Sequence, residues 1–319
     1  MKWTKLGKIF DPTQHQLPNG CVQFAQSPQA LVFEDFVRIY FSTRAVDPGN
    51  GKYLSHIAFV DMRKDLREII HVSNQTVIPL GELGCFDEHG IFPMNVLRYG
   101  NAVYGYTCGW NRRVSVSVDT AIGLAISHDD GKTFKRIGPG PVLSASLHEP
   151  CLVGDGFVKV INDVFHMWYI FGTGWKRFSA EAPPDRTYKI GHAVSSDGIH
   201  WRKEEARQII IDRLGPDESQ ALPSVIQIDN IFHMFFCYRQ SFDFRNNKSR
   251  GYRIGHAYSA DLLNWTRDDE NPLLEPSPGE WDSDMLCYPH VFECDSKVYL
   301  LYNGNKFGRH GFGLAVLET

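Results

Sequence analysis

The chain has 319 residues, of which 43% are hydrophobic and 13% aromatic, and this composition is sufficient for a large buried core. Its net charge is −4 and its mean hydropathy −0.28. No basic run stands out and no stretch approaches about 18 apolar residues, so we expect neither a nucleic-acid partner nor a membrane span. With no signal peptide at its start and seven cysteines without a CxxC pair, the chain is predicted to be cytoplasmic with buried free thiols.

Five hairpins of similar pattern follow one another along the chain, at residues 27–41, 92–106, 155–169, 222–236 and 288–302. Each has a short apolar strand, a polar turn and an aromatic-rich strand. The spacings between successive anchors are 65, 63, 67 and 66 residues, which indicates an internal repeat. The anchors at the start of each hairpin are Pro28, Pro93, Gly156, Pro223 and Pro289.

A third and a fourth strand follow most hairpins and complete a four-stranded repeat. Their pattern is apolar-Gly-x-Ala, a Ser-x-Asp turn and an aromatic residue, as in residues 190–201 and 254–265. The last repeat lacks its fourth strand, and Trp3-Thr4-Lys5 resembles the missing segment. We therefore predict an all-β chain, one five-bladed β-propeller domain over residues 1–319, in which the N-terminal strand closes the last blade.

Acidic residues precede several anchors, on the side where the first strand of each blade begins. In a propeller these positions meet at one mouth of the central axis, and two carboxylates there can serve as general acid and base. We expect Glu149 or Asp155 as the acid, and Glu88, Glu218 or Asp284 as the base.

Side chains suited to sugar binding lie near the same mouth, because tryptophan faces stack on sugar rings and Arg or Asn bond hydroxyls or carboxylates. Arg44 and Arg239 would equally bind phosphate, which favours a phosphorylase or an acidic sugar substrate. His290 is predicted to be a core histidine, the alternatives being a metal ligand or a hydrogen-bonding group on the axis. No cofactor is expected to be required, the alternative being an axial metal ion such as calcium. The predicted substrate-binding residues are Arg44, His89, Trp110, Trp175, Arg239, Asn303 and Asn305.

The anchored hairpins and turns such as Ser195-Ser196-Asp197-Gly198 resemble the five-bladed propeller glycosidases, over nearly the whole chain. That superfamily includes the arabinanase and xylosidase enzymes, the invertase-like enzymes and the mannoside phosphorylases. The resemblance implies an Asp before the first anchor and another after the second, but Ser27 and Met94 stand there. Its general acid, a Glu near the third anchor, corresponds to Asp155 or Glu149, so the usual triad is not retained.

Two hypotheses of different class follow for the function. The first is a glycoside hydrolase or phosphorylase that acts on a glycan or sugar conjugate through carboxylates at the propeller mouth. The second is a carbohydrate-binding propeller without catalysis, involved in polysaccharide assembly. The absent first-blade Asp favours the second hypothesis, and the ring of acids favours the first.

Overall fold

The computed structural model describes residues 1–270 and 272–318, and these residues are almost entirely in β-strands and connecting loops. No helix in this part of the chain is long and apolar enough to cross a membrane. Four short helical turns occur, at Pro12–Gln14, Pro18–Gly20, Lys248–Arg250 and Asn305–Gly308.

The strands form antiparallel units of four, as the repeat predicts. The N-terminal strand is β1 (Trp3–Phe10). The first unit contains β2 (Gln23–Val32), β3 (Phe36–Val46), β4 (Tyr53–Arg63) and β5 (Ile69–Val72). The second contains β6 (Gly90–Tyr99), β7 (Ala102–Arg112), β8 (Val118–Ser127) and β9 (Lys135–Arg136). The third contains β10 (Val153–Ile161), β11 (Val164–Lys176), β12 (Asp185–Ser195) and β13 (Arg202–Lys203).

The fourth unit contains β14 (Glu218–Ile228), β15 (Ile231–Gln240), β16 (Arg253–Ser259) and β17 (Thr266–Arg267). The fifth contains β18 (Cys287–Cys294), β19 (Lys297–Asn303), β20 (Phe312–Leu317) and β1. The first two units are joined into one larger sheet by a single parallel bridge between Ser55 and Gly90.

Two-residue turns connect the first and second strands of three units. Both residues of each turn have positive φ, the conformation of the tight hairpin turn whose twist matches that of the strands. Asn and Asp adopt this conformation more readily than most residues, and they dominate the turns here. The turns are Asn162-Asp163, Asp229-Asn230 and Asp295-Ser296.

The first strands of the units contact one another in a cycle. Strand β2 contacts β6, β6 contacts β10, β10 contacts β14, β14 contacts β18, and β18 contacts β2. Aromatic residues fill the spaces between successive units, as the repeat predicts. The ring pairs that join neighbouring units are Phe134–Tyr40, Trp201–Tyr106, Trp265–Trp168 and Trp3–Phe235, with centroids 5.4–6.3 Å apart.

A β-bulge interrupts every first strand at its anchor, where the pairing with the second strand skips register. Bulges re-aim side chains and are frequent beside active sites. In four units the residue before the anchor has φ between 50° and 58°, a region that non-glycine residues seldom occupy. These residues are Ser27, Asp155, Leu222 and Tyr288. The bulge in β10 confirms Gly156 as the anchor of the third repeat.

Strand β1 is the outer strand of the fifth unit. This sheet therefore combines the N-terminal strand with three strands from residues 287–317, as the sequence pattern predicts. Trp3 lies opposite Leu317 and Phe10 opposite Phe312. The buried indole of Trp3 meets Phe235 of the fourth unit edge-on at 5.4 Å. Strand β1 therefore links two units as well as completing one.

Replacing Trp3 by alanine is expected to remove this link and destabilise the protein by about 3 kcal/mol, the usual cost of deleting a buried aromatic side chain. A thermal melt followed by circular dichroism measures the loss. Leu6→Ala is the matched control, because Leu6 lies on the same strand and is half exposed. Equal melting temperatures for the two variants would contradict the linking role of β1.

Candidate functional site

A cavity of about 330 Å³ lies at the bulged ends of the first strands. Bulge-region residues of all five units line it: Gln26, Phe92, Asp155, Ala221 and Tyr288. The remaining wall comes from the ends of second strands and the starts of third strands, which lie on the same side because neighbouring strands are antiparallel. The mouth predicted from the repeat is therefore a real concavity, and its chemistry is set by the residues at these positions.

Asp155 provides the only carboxyl group among the described residues that line the cavity. Its side chain is 8% exposed, and burial raises its pKa from 3.8 to about 7. A carboxyl group with such a pKa is partly protonated at neutral pH and is suited to donate a proton. Of the two acids that the sequence proposed near the third anchor, the structure places Asp155 in the cavity.

Four arginines line the cavity: Arg44, Arg186, Arg239 and Arg245. Arg245 pairs with Asp185 at 3.4 Å, whereas the ion pairs found among the described residues include none for the other three. The Nε atoms of Arg44 and Arg239 are both buried without a hydrogen-bond partner, but Arg239 donates through its other two nitrogens. The Arg44 guanidinium lies 4.7 Å from the Phe24 ring. Burial lowers the pKa of Arg44, which records an incomplete compensation of its charge.

Arg239 is almost completely buried beneath the cavity and is held by aromatic groups. Its guanidinium lies 3.5 Å from the Phe244 ring centroid and donates to the Tyr188 hydroxyl at 2.9 Å. The Tyr188 and Tyr252 hydroxyls are 2.6 Å apart. Cation–π contacts and hydroxyl groups stabilise a guanidinium without neutralising it, so the cavity keeps a positive potential.

Four cavity residues that the sequence analysis missed occupy one repeated position at the start of the third strands. They stand three residues before the glycine of the apolar-Gly-x-Ala motif, or before its counterpart His56 in β4. The positions predicted for functional groups, before each anchor and after each second strand, did not include the third strands. The four residues are Tyr53, Thr120, Tyr188 and Tyr252. Arg186 and Arg245 were missed for the same reason, since each lies beyond the second strand of its unit.

Two of the predicted catalytic acids belong to buried structural networks outside the cavity. Glu149 is fully buried, pairs with Lys203, and accepts hydrogen bonds from the Tyr169 hydroxyl at 2.8 Å and the Ala206 N–H at 3.0 Å. Glu218 is also fully buried and pairs with Arg267 at 2.6 Å. These partners occupy the carboxylate oxygens of Glu149 and Glu218, and neither side chain lines the cavity.

The other two predicted acids lie in loops. Glu88 accepts a hydrogen bond from the Gly84 N–H at 3.0 Å, and Asp284 pairs with Lys248 at 2.6 Å. The Lys248 ammonium group also lowers the pKa of Asp284. Neither side chain lines the cavity, so the predicted general base is not found among Glu88, Glu218 and Asp284.

Three of the seven predicted substrate-binding residues line the cavity, namely Arg44, Trp110 and Arg239. The side-chain amides of Asn303 and Asn305 hold neighbouring backbone segments in place. Asn303 accepts a hydrogen bond from the Ser27 N–H at 2.8 Å, and Asn305 accepts one from the Asp284 N–H at 2.7 Å.

The remaining two predicted binding residues support cavity residues from outside. His89 stacks near Trp110, with ring centroids 5.9 Å apart, and the Trp175 ring lies 5.3 Å from the Arg186 guanidinium. Each of them therefore packs behind a group that faces the cavity.

His290 is buried on the inner side of β18, and both of its ring nitrogens lack a hydrogen-bond partner. Burial lowers its pKa to about 3, so the ring is neutral. The described residues contain no group of three or more His, Cys, Asp or Glu side chains able to hold a metal ion. His290 is thus a core histidine packed against Phe157 and Phe292, and the predicted metal-ligand role has no supporting ligands.

Several solved structures of similar fold are glycoside hydrolases or glycoside phosphorylases. The structure described as "Glycoside hydrolase" matches with a TM-score of 0.75 and 17% identity, covering 99% of this chain and 91% of that one. A β-1,2-mannobiose phosphorylase from Listeria innocua, in complex with β-1,2-mannobiose, matches with a TM-score of 0.69 and 12% identity, covering 100% and 97%. The chain therefore shares the fold of these glycoside hydrolase and phosphorylase structures, as its sequence resemblance predicts.

Two sequence relatives match this chain over its full length. The Mycobacterium tuberculosis proteins named "Uncharacterized protein Rv1502" and "Uncharacterized protein MT1551" are each 34% identical over 328 residues, covering 100% of both chains. This chain belongs to their family. No protein-family model matches it.

Removing the charge of Glu149 is expected to destabilise the folded protein and to leave the binding site intact. Glu149→Gln leaves the Lys203 ammonium group buried without its partner, at a cost of about 3 kcal/mol. The melting temperature should fall, while ligand binding per folded molecule stays unchanged. Glu204→Gln is the control, since Glu204 pairs with Arg207 at the surface. A loss of ligand binding without a loss of stability would contradict the structural role and would assign Glu149 to the binding site.

The raised pKa of Asp155 predicts a pH-dependent stability. Between about pH 4 and pH 7 the folded protein binds a proton at Asp155 that the unfolded chain has released, so stability falls as the pH rises through this window. Asparagine does not ionise, so the melting temperature of Asp155→Asn relative to the native protein should increase from pH 5 to pH 8. A pH-independent difference would contradict the raised pKa.

Proposed function

We propose that the five units are the blades of one propeller domain and that the protein is a glycoside phosphorylase. The observation that supports this most directly is the cavity's combination of one protonatable carboxyl group with three arginines that lack carboxylate partners. Guanidinium groups bind phosphate through paired hydrogen bonds. The first-strand cycle and the resemblance to phosphorylases support the same assignment.

Phosphorolysis needs only one acid. Phosphate is itself the nucleophile: one of its oxygens attacks the anomeric carbon as the bond to the leaving oxygen breaks. The Asp155 carboxyl group transfers its proton to the leaving glycosidic oxygen, which departs as the hydroxyl group of the released alcohol. The products are a glycosyl 1-phosphate and the released alcohol, and a single displacement inverts the anomeric configuration.

Hydrolysis by an inverting enzyme requires a second carboxylate to activate water. The cavity lining offers none beside Asp155 within the described chain, and Ser27 occupies the place of the superfamily's first-blade Asp. The absence of a second carboxylate from the described cavity lining also favours the second candidate, a non-catalytic binder of anionic sugars. Such a protein would use the arginines and aromatic rings without proton transfer. A cytoplasmic location remains a prediction.

The reaction is tested in the synthetic direction with α- and β-glycosyl 1-phosphates, beginning with mannose 1-phosphate, and a panel of acceptor sugars. Release of inorganic phosphate is the readout, and NMR assigns the anomer of the product. Asp155→Asn should reduce turnover by about 100-fold or more, the usual contribution of a general acid. Arg44→Ala should raise the KM for phosphate in the reverse direction.

Glu34→Gln is the matched control, because Glu34 is an exposed carboxylate in the turn between β2 and β3, at the other end of these strands from the cavity. Turnover of aryl glycosides that does not depend on phosphate would replace phosphorolysis by hydrolysis. Saturable sugar binding with no turnover for any donor would favour the non-catalytic hypothesis.

A further inference from the structure

A second depression continues from the cavity across the mouth of the molecule. This outer groove, of about 580 Å³, shares Tyr53 and Trp110 with the cavity. Its own walls come from three loops that join second to third strands: Lys52 in the first unit, residues 112–117 in the second, and Arg177 with Pro183-Pro184 in the third. A ligand that leaves the cavity past Trp110 therefore enters the outer groove directly.

The outer groove is lined by four cationic side chains and no acidic one among the described residues: Lys52, Arg112, Arg113 and Arg177. Arg112 pairs with Asp47 at 3.3 Å, and Arg113 pairs with Asp119. Lys52 and Arg177 have no place among the ion pairs of the described residues, and Arg177 donates only to the Ala182 carbonyl, at 3.1 Å. Two cations from different loops, Lys52 and Arg177, are thus available to a ligand.

The boundary between cavity and groove is also cationic. Arg186 lines the cavity, and its guanidinium donates to the Ser117 hydroxyl of the groove at 3.4 Å. Trp110 presents an aromatic surface at the same boundary, and such a surface stacks on a sugar ring. Cationic side chains without an ion-pair partner among the described residues therefore line both the cavity and the outer groove: Arg44, Arg186 and Arg239 in the first, Lys52 and Arg177 in the second.

One bound phosphate supplies at most two negative charges, fewer than the cations that line this continuous surface. We infer that the glycoside substrate is itself anionic, and that the outer groove binds a carboxylate or phosphate group on the part of the glycan beyond Trp110. This inference rests on the proposed function for the location of the reacting sugar. Lys52 and Arg177 are the residues that recognise the anionic group.

Binding is measured by isothermal titration calorimetry without phosphate, on the full chain, with two matched pairs of tetrasaccharides. Tetragalacturonate against galactotetraose tests a carboxylate, and 6-phosphorylated mannotetraose against mannotetraose tests a phosphate. At least one acidic probe should bind more tightly than its neutral partner, and raising the salt concentration should reduce the difference. If neither acidic probe binds more tightly than its neutral partner, the inference is overturned.

The double variant Lys52→Ala/Arg177→Ala should weaken binding of the preferred acidic probe about five- to tenfold, the effect of losing two exposed ion pairs. It should leave the neutral partner unaffected. Lys135→Ala is the matched control, because Lys135 is an exposed cation on the outer strand β9. An acidic preference that survives the double variant assigns the charge recognition to other residues and overturns the role of the groove.

The two proposals fail separately. An acidic preference in binding, combined with no phosphate-dependent turnover, removes the phosphorylase assignment and leaves the outer groove. Phosphate-dependent turnover with equal use of neutral and acidic glycosides removes the outer groove and leaves the phosphorylase assignment.

Discussion

The bulge at the start of each first strand is the constraint on which the site depends. Without it, side chains along a strand alternate strictly between its two faces, and the residue before the anchor would stay within the sheet packing. The positive φ of Asp155 breaks that alternation and brings its carboxyl group into the cavity. Tyr288 has the same backbone conformation and brings an aromatic ring to the cavity, so at these two bulges the residue before the anchor decides whether the unit contributes an acid or a ring.

Charge in the cavity is unbalanced, and this sets its chemistry. Buried cations without counter-ions are costly, and proteins retain them mainly where a ligand completes the site. Aromatic rings and tyrosine hydroxyls around Arg239 lower that cost without cancelling the charge. Elsewhere in the described chain the fully buried acids have cationic partners, as Glu149 has Lys203 and Glu218 has Arg267.

The sequence predicted the four-stranded units, the anchors, the aromatic contacts between units and the return of β1, because each depends on local patterns that repeat. It also placed Asp155, Arg44, Trp110 and Arg239 at the mouth. It failed for Glu149 and Glu218, since a carboxylate near a strand start looks the same in sequence whether it faces a cavity or a lysine from another loop. The pairing partners Lys203 and Arg267 lie 54 and 49 residues away, and only the three-dimensional packing brings them together.

The pairing of β1 with β20 has a consequence for biosynthesis. Phe10 and Phe312 are partners, so β1 leaves the ribosome long before the strand that it will join. At about 5–20 residues per second, the interval is on the order of 15–60 seconds. During this time β1 is an unpaired strand with an apolar tryptophan, while the earlier units are already able to form. Nascent chains are therefore exposed to strand-mediated association until synthesis passes β20, and a chaperone that holds the first residues of the chain would protect them through that interval.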